Sequence, residues 1–212
     1  TSVHSVSPKT TPNIAVIASN DDCVRIFDMP VCKEAQKFSF DCPVNHATLS
    51  PFGKLLCVAC DNDDVMLVDS TSGKLVHVLK GHRDFSFATA WNPVDGNYVA
   101  TGAQDKTTRI WDIRLLKSVK VLPGCLGSIR SLEYSHDGKI LAAAECADFV
   151  HLYDVQKMYS REQQLDLFGE IAGISFTPEL DECLFVGIFD RVYKSLMEFS
   201  KVKLFDICNV EI

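Results

Sequence analysis

The sequence predicts an all-β protein built from repeated units of about 42 residues. Three observations support this: turn-forming stretches recur at a fixed spacing, acidic residues recur in two columns at the same period, and short apolar runs lie between the turns. With 212 residues, the chain is long enough to bury a sizeable core in one domain.

The turn stretches set the period. "SPFG", "NPVDG", "SHDG" and "TPELD" begin at Ser50, Asn92, Ser135 and Thr177, which gives spacings of 42, 43 and 42 residues. Asn, Ser, Asp, Pro and Gly favour turns through side-chain bonds to the backbone and through restricted or permissive φ angles. A regular recurrence of such stretches indicates a repeat protein.

Two acidic columns follow the same period. Thirteen residues after each turn start, the first column contains Asp63, Asp105, Asp148 and Asp190. Six to eight residues further on, the second column contains Asp28, Asp69, Asp112 and Asp154, with Glu198 in the fifth place. Because catalytic residues should break a repeat, we interpret these carboxylates as structural.

Short apolar runs predict the strands. "KLLCVAC", "YVATGA" and "KILAAAE" are almost continuously apolar and end at turn residues, and no long stretch has the helical period of 3.6. Strands covered on both faces have this continuous pattern, since neither face of their sheet meets water.

The third unit carries a recognisable motif: Gly81-His82 and then Trp111-Asp112, with 28 residues between His82 and Trp111. It resembles the WD40 repeat of transducin-like proteins, which implies four-stranded blades of a β-propeller. The other units depart from the motif, since the tryptophan position holds Phe27, Val68, Tyr153 and Met197. The last third also resembles a poorly characterised group of plant and fungal WD-repeat proteins.

The resemblance implies one propeller domain over residues 1–212, with units at approximately 1–40, 41–80, 81–123, 124–166 and 167–212. WD propellers usually close with seven blades, which at this period need about 300 residues. The chain also begins at Thr1 rather than at a methionine. We therefore expect about five blades of a partial seven-bladed propeller, with a closed five-bladed ring as the alternative. "KLFD", at 203–206, is expected to be a fourth strand or a tail.

The resemblance also implies a hydrogen-bonded network of His82, Thr101, Asp105 and Trp111 within one blade. Its likeness to a Ser-His-Asp triad is superficial, because a triad is recognised by the geometry around an exposed nucleophile. We expect a structural role and no catalytic residue.

Arg114 is the candidate for partner binding. WD proteins that serve as substrate receptors of cullin-RING ubiquitin ligases carry a 16-residue box, and this chain matches it from Val99 at Asp105, Trp111, Asp112 and Arg114. The planar guanidinium could bind a partner's carboxylates in two-point fashion. A solvated residue at the blade rim is the alternative.

Composition narrows the function classes. A net charge of −7 argues against nucleic acid as the main partner, and no apolar run is long enough to span a bilayer. Nine cysteines without framework spacing predict free thiols in the cytoplasm or nucleus. "CVAC" and "DNDD", at 57–60 and 61–64, lack the partners that a zinc or calcium site needs, so no metal or cofactor is expected.

These observations favour a non-catalytic scaffold that binds proteins or peptides through the propeller faces. A ubiquitin-ligase receptor is the more specific version of that hypothesis, and a basic peptide would suit the negative charge. A propeller hydrolase is the catalytic alternative, and it would need paired carboxylates or a nucleophile at the channel mouth.

Overall fold

In the computed structural model, the described residues are 2–6, 14–177, 183–189 and 194–200. Within these ranges the regular secondary structure consists of β-strands, joined by turns and loops. No helix in this part of the chain is long and apolar enough to cross a membrane. Wherever two described strands are hydrogen-bonded to each other, they run antiparallel.

The strands form four sheets. The first contains β1 (Ser2–Val6), β2 (Ile14–Ser19), β3 (Cys23–Asp28) and β4 (Lys33–Ser39). The second contains β5 (Val44–Leu49), β6 (Leu55–Cys60), β7 (Val65–Asp69) and β8 (Leu75–Leu79). The third contains β9 (Ser86–Trp91), β10 (Tyr98–Ala103), β11 (Thr107–Asp112) and β12 (Lys117–Pro123). The fourth contains β13 (Ile129–Tyr134), β14 (Ile140–Glu145), β15 (Ala147–Asp154), β16 (Glu162–Phe176), β17 (Cys183–Phe189) and β18 (Lys194–Ser200).

The fourth sheet has six strands because β16 belongs to two units. Its first half, up to Glu170, pairs with β15, and its second half, from Ile171 to Phe176, pairs with β17. The fourth unit is therefore β13 to β15 with the first half of β16, and the fifth unit begins in the second half of the same strand.

The sheets pack like the blades of a propeller. β5, β9, β13 and β16 contact one another in succession, and β5 also contacts β1 and β2, so the first strand of each unit lies towards a common middle. The second strands β6, β10 and β14 are buried almost throughout, whereas the outer strands β4 and β12 are mostly exposed. The described part of the chain is thus a partial β-propeller.

Apolar layers between consecutive sheets hold the blades together. Val16 and Leu56 belong to the layer between the first two sheets, and Leu67 and Trp111 belong to the next one. Ile110 and Leu141 lie in the layer between the third and fourth units. Each second strand is covered on both faces by neighbouring sheets. This explains why its sequence is continuously apolar rather than alternating.

The second acidic column marks the turns between the third and fourth strands of the units. The carboxylate of Asp69 accepts backbone N–H bonds from Thr71 and Ser72 at 3.1 and 2.7 Å, and Asp154 accepts one from Lys157 at 3.2 Å. The corresponding turns of the four units place residues in the left-handed region, with φ between 51° and 69°: Cys32, Gly73, Leu116 and, in the last turn, both Met158 and Tyr159. These aspartates therefore close turns.

In two units, the aspartate of the first acidic column lies one residue beyond the position that is structurally equivalent to Asp105. The pairs Tyr98–Asp112 and Leu55–Asp69 occupy equivalent positions in units three and two, so the residue equivalent to Asp105 in unit two is Asn62. Correspondingly, Asn62 accepts the N–H of Asp64, as Asp105 accepts that of Thr107.

The pairing of Ile140 with Asp154 likewise puts Ala147 at that place in the fourth unit. Asp148 instead has a left-handed φ of 67° and accepts the N–H of Gly169 at 3.0 Å, while Asp63 is exposed. The displacement arises because the first turn of unit three is one residue longer, with six steps from Asn92 to Tyr98 and five from Ser50 to Leu55.

The fifth unit differs more. Ser200 lies opposite Cys183, and this pair corresponds to Asp112 opposite Tyr98, so Glu198 does not occupy the place that its sequence spacing suggested. The reason is that the β17–β18 pairing continues to Phe189 and is therefore longer than the β10–β11 pairing. Asp190 and "KLFD" at 203–206 lie outside the described residues.

Candidate partner-binding site

The third blade contains a closed hydrogen-bonded network. The indole Nε1–H of Trp111 donates to Thr101 Oγ1 at 2.8 Å, and Thr101 Oγ1 lies 2.7 Å from His82 Nε2. His82 Nδ1 lies 3.1 Å from Asp105 Oδ2. An indole can only donate and an ionised carboxylate can only accept, so Trp111 donates to Thr101 and His82 Nδ1–H donates to Asp105. The hydroxyl of Thr101 then donates its own hydrogen to the remaining ring nitrogen, Nε2.

Asp105 also connects the loop before β9, here called the entry loop, to the turn between β10 and β11. Its carboxylate accepts the backbone N–H groups of Arg83 and Thr107, both at 3.0 Å, and the hydroxyl of Thr107 at 2.7 Å. Burial by itself would raise the pKa of Asp105, but the bonds from His82 and Thr107 hold the pKa well below its usual range. The carboxylate is therefore ionised and fully engaged.

This network does not have the geometry of a catalytic site. Thr101 is completely buried, Trp111 is 1% exposed, and His82 is 5% exposed. A nucleophile must reach its substrate, and the Thr101 hydroxyl lies beneath packed side chains. The contacts supply what a structural network needs, since every donor has an acceptor.

Arg114 lies at the opposite end of β11, in the turn that follows Asp112. Its Nε and Nη2 donate to the two carboxylate oxygens of Asp112 at 3.0 and 2.7 Å, and the guanidinium carbon lies 5.8 Å from the centre of the Tyr98 ring. The hydrogen bond from Arg114 lowers the pKa of Asp112, and the same bond raises the pKa of Arg114. The Asp112 side chain is 4% exposed and that of Arg114 is 57% exposed, so the pair is fixed at its base and open on its outer edge.

Apolar side chains flank this arginine. Leu115 and Leu116 follow it in the chain and are 61% and 40% exposed, and Leu116 holds a left-handed φ of 54°. Val94, in the other turn at this end of the same sheet, is 59% exposed. A fixed cation beside exposed apolar side chains is the composition expected at a protein contact surface.

The structure separates the four residues of the sequence box into two groups. Asp112 and Arg114 form one pair at the end of β11, whereas Asp105 and Trp111 belong to the buried network. Of the four, Arg114 alone presents a polar group to a partner, because the other three side chains are buried or engaged within the blade.

A second buried network occupies the fourth unit, and sequence reasoning missed it. Glu145 is completely buried and accepts the backbone N–H groups of Cys125, Leu126 and Gly127. His151, 1% exposed, places Nε2 2.9 Å from Glu145 Oε1 and Nδ1 2.6 Å from Glu162 Oε1. Burial would raise the pKa of Glu145, but the bonds from the Gly127 N–H and His151 lower it overall.

A signal for this network is present in the sequence. Glu145 ends the otherwise apolar run "KILAAAE", and His151 lies within the strand run "FVHLYD". A charged residue at the end of a buried strand needs a partner. Cys125 Sγ, a Glu145 oxygen and a His151 nitrogen all lie within 4.8 Å of one another, which makes this group one that could hold a metal ion.

The first strands also line a cavity of about 370 Å³ near the middle of the propeller. Arg130 enters it with its guanidinium carbon 4.2 Å from the centre of the Phe87 ring, and its Nε donates to Ser128 at 3.2 Å. His46 lies on another wall and contacts Thr89 at 2.9 Å. The cavity therefore offers the guanidinium of Arg130, stacked on Phe87, to a small group of a partner.

Together, the four-stranded units, the contacts between their first strands and the tryptophan-centred network define a β-propeller protein that presents turns at both ends of its blades. Residues 73–112 and 116–154 match the WD domain, G-beta repeat family. The chain therefore contains WD40 repeats at these two places.

Curated relatives agree with this family. The chain is 23% identical over 159 residues to Protein ANTHESIS POMOTING FACTOR 1 of Arabidopsis thaliana, a match that covers 72% of the chain and 47% of that protein. It is 28% identical to WD repeat-containing protein 1 of Mus musculus, over 57% of the chain and 21% of that protein. It is 30% identical to DDB1- and CUL4-associated factor 10 of Xenopus tropicalis, over 51% of the chain and 24% of that protein. The chain thus spans less than half the length of each of these relatives.

Proposed function

We propose that this chain is a non-catalytic scaffold that binds protein or peptide partners through the turns of its propeller. WD40-repeat proteins are typically interaction scaffolds. The observation that carries the proposal is the use of the recurring carboxylates: Asp69, Asp105 and Asp154 accept hydrogen bonds from their own turns. A carboxylate committed to backbone donors holds a surface in place and is not free to move a proton.

No observation in the described part of the chain favours the hydrolase alternative. A glycosidase-type mechanism needs two carboxylates that face a common space. In the fourth unit, Glu145 and Glu162 are each hydrogen-bonded to a different ring nitrogen of His151.

The more specific proposal is a substrate receptor of a cullin-RING ubiquitin ligase that binds the adaptor through Arg114. Two observations support it: the guanidinium is held by Asp112 with its outer edge exposed, and a relative is a DDB1- and CUL4-associated factor by name. A pre-oriented arginine loses little conformational freedom on binding, so its remaining donors can pair with a partner's carboxylate at low entropic cost. A scaffold of this kind would act in the cytoplasm or nucleus.

The test is affinity capture from a reduced cell extract with three versions of the chain: wild type, Arg114→Ala and Arg83→Ala. Arg83 is an exposed arginine whose backbone N–H bonds to Asp105 at the opposite end of the blade, so it is a matched control for loss of one surface charge. Thermal denaturation of each version shows whether the fold is kept.

Three outcomes distinguish the proposals. Recovery of a cullin-ligase adaptor by wild type and Arg83→Ala, and its loss by Arg114→Ala, supports the receptor. If all three versions recover the same proteins and no ligase component, the scaffold proposal stands and the receptor proposal fails. If wild type recovers no protein above a bead control, the scaffold proposal fails as well.

A further inference from the structure

The buried hydrogen-bonded network of the fourth unit is built from different residue types than that of the third unit. In unit three, His82 comes from the entry loop and Asp105 from the turn. In unit four, Cys125 stands in the entry loop, and the carboxylate and imidazole come from β14 and β15 as Glu145 and His151. A thiol, a carboxylate and an imidazole thus meet at one end of a blade, within 4.8 Å of one another.

The backbone hydrogen bonds of Glu145 leave one lone pair of its carboxylate to His151. Leu126 and Gly127 donate to Oε2, and Cys125 donates its backbone N–H to Oε1. A carboxylate oxygen has two lone pairs, so Oε2 is saturated and Oε1 keeps one lone pair. That lone pair faces His151 Nε2 at 2.9 Å.

The imidazole is oriented by a second carboxylate. His151 Nδ1 lies 2.6 Å from Glu162 Oε1, a distance at which the ring N–H donates to Glu162. The other ring nitrogen, Nε2, is hydrogen-bonded to Glu145 Oε1, so these two atoms share one proton. When that proton leaves, the lone pair on Nε2 becomes available to a metal. Metal-binding histidines characteristically donate their other N–H to a carboxylate in this way, which fixes the tautomer and strengthens the ligand.

We propose that Cys125, Glu145 and His151 bind one divalent transition-metal cation of the zinc type, with Glu162 as the residue that orients His151. The ligand atoms are Cys125 Sγ, Glu145 Oε1 and His151 Nε2. Thiolate, imidazole and carboxylate together favour zinc over magnesium or calcium, which prefer oxygen ligands alone.

Only a small rearrangement is needed for ligation. Zinc holds nitrogen and oxygen at about 2.0 to 2.2 Å and sulfur at about 2.3 Å, so tetrahedral ligands lie roughly 3.2 to 3.8 Å apart. His151 Nε2 and Glu145 Oε1 must therefore separate by a few tenths of an ångström. Cys125 is exposed and its thiol contacts the Gln164 side chain at 3.3 Å, so side-chain rotation can bring Sγ inwards.

The charges of the site suit a cation. Burial, together with the negative charges of Glu145, Glu162 and Asp166, raises the pKa of the Cys125 thiol. A cation placed among these groups would reverse that effect, because the same carboxylates that oppose a thiolate attract a metal. Binding exchanges protons for the metal: the Cys125 thiol gives up its proton, and the proton shared between His151 Nε2 and Glu145 Oε1 is released.

Cobalt(II) is the direct probe, because a cobalt–thiolate bond produces a charge-transfer absorption in the near ultraviolet. The reduced, chelator-stripped chain is titrated with Co²⁺ and then with Zn²⁺, beside the variants Cys125→Ser, Cys32→Ser and Glu162→Gln. Cys32 is an exposed cysteine in a turn of the first unit and contacts Met29 O at 3.2 Å, so it controls for nonspecific thiol binding. Both cysteines are exposed, so neither serine variant is expected to lose the fold.

The proposal predicts one equivalent of Co²⁺ per chain with a thiolate band that Zn²⁺ displaces. Cys32→Ser keeps the band, Cys125→Ser loses it, and Glu162→Gln weakens Co²⁺ binding by about 10- to 100-fold. The proposal is overturned if wild type shows no thiolate band, or if Cys125→Ser binds Co²⁺ with the same band and affinity as Cys32→Ser.

Discussion

The indole nitrogen of Trp111 and the hydroxyl oxygen of Thr101 lie 2.8 Å apart in a part of the blade where both side chains are at most 1% exposed. The same hydroxyl lies 2.7 Å from His82, so one small side chain serves two larger ones. This arrangement ties the C-terminal end of β11 to the loop that precedes β9, and Asp105 in turn holds that loop. The stability of the third unit therefore depends on this chain of hydrogen bonds from Trp111 through Thr101 and His82 to Asp105.

Replacement of Asp105 by alanine should destabilise the protein by about 1 to 3 kcal/mol, because it leaves His82 Nδ1–H and the Arg83 and Thr107 N–H groups without their acceptor. Asp63→Ala is the matched control, since Asp63 shares its column in the sequence but is exposed. The free energy of unfolding is measured in denaturant titrations. An equal effect of the two substitutions would show that the network contributes nothing.

Replacement of Gly73 by alanine should cost about 1 to 3 kcal/mol. Gly73 has a φ of +69°, and a Cβ there would overlap the Phe38 ring at Cδ1, so the change combines left-handed strain with a steric clash. Gly173→Ala is the control, because nothing lies within 4 Å of a Cβ at that strand position. Thermal unfolding midpoints give the comparison, and a Gly73→Ala variant as stable as Gly173→Ala would refute the argument.

The repeat, the strand runs and the third unit could be predicted from the sequence because their signals are local. The register of the second and fourth units could not, since the turn at Asn92 is one residue longer and shifts the later positions of unit three relative to those two units. Asn62 and Ala147 therefore stand where the spacing pointed to aspartates.

Sequence reasoning missed the second network for a different reason: Glu145 signals the need for a partner, but the spacing does not identify that partner. Cys125, Glu145 and His151 have no motif spacing, and they meet because an entry loop and two strands converge in the fold. Glu145 also performs a task that the third unit gives to Asp105, although the two residues are not at equivalent positions. A comparison of equivalent positions in the repeats therefore misses Glu145, because it lies at a different position in its unit from Asp105.

Replacement of Glu145 by alanine should be more damaging than the loss of Asp105, at about 3 to 5 kcal/mol. It removes a completely buried carboxylate that satisfies three backbone donors and contacts a buried imidazole. Asp148→Ala, which removes one bond to Gly169, is the nearby control. Denaturant titration of both variants tests this, and a loss for Glu145→Ala no larger than for Asp148→Ala would contradict it.

Glu133 should make stability fall as pH rises from about 4.5 to about 7. Burial raises the pKa of Glu133 to about 7, although the bond from the Phe176 N–H opposes this shift. Between the ordinary value and about 7, the folded chain keeps a proton that the unfolded chain has lost, so increasing pH favours unfolding. Above about pH 7, both states are ionised and the slope from this group disappears.

Glu133→Gln tests this prediction, because the amide resembles the protonated carboxyl and still accepts the Phe176 bond. The variant should match wild type near pH 4.5 and exceed its unfolding free energy by about 1 to 3 kcal/mol at pH 8. Denaturant titrations at several pH values provide the profile. Parallel profiles for the two proteins would show that Glu133 does not titrate in this range.

The cysteines should divide into fast and slow thiols when the folded chain meets an alkylating reagent. Cys32 and Cys125 are exposed, whereas Cys57 is completely buried and burial strongly raises its pKa. Since the thiolate is the reactive form and must reach the reagent, Cys57 should react only when the blade opens. Peptide-level mass spectrometry after timed labelling measures each rate, and the same labelling in denaturant confirms that Cys57 can react. Equal rates for Cys57 and Cys32 in the folded chain would mean that the layer between the second and third sheets is open to solvent.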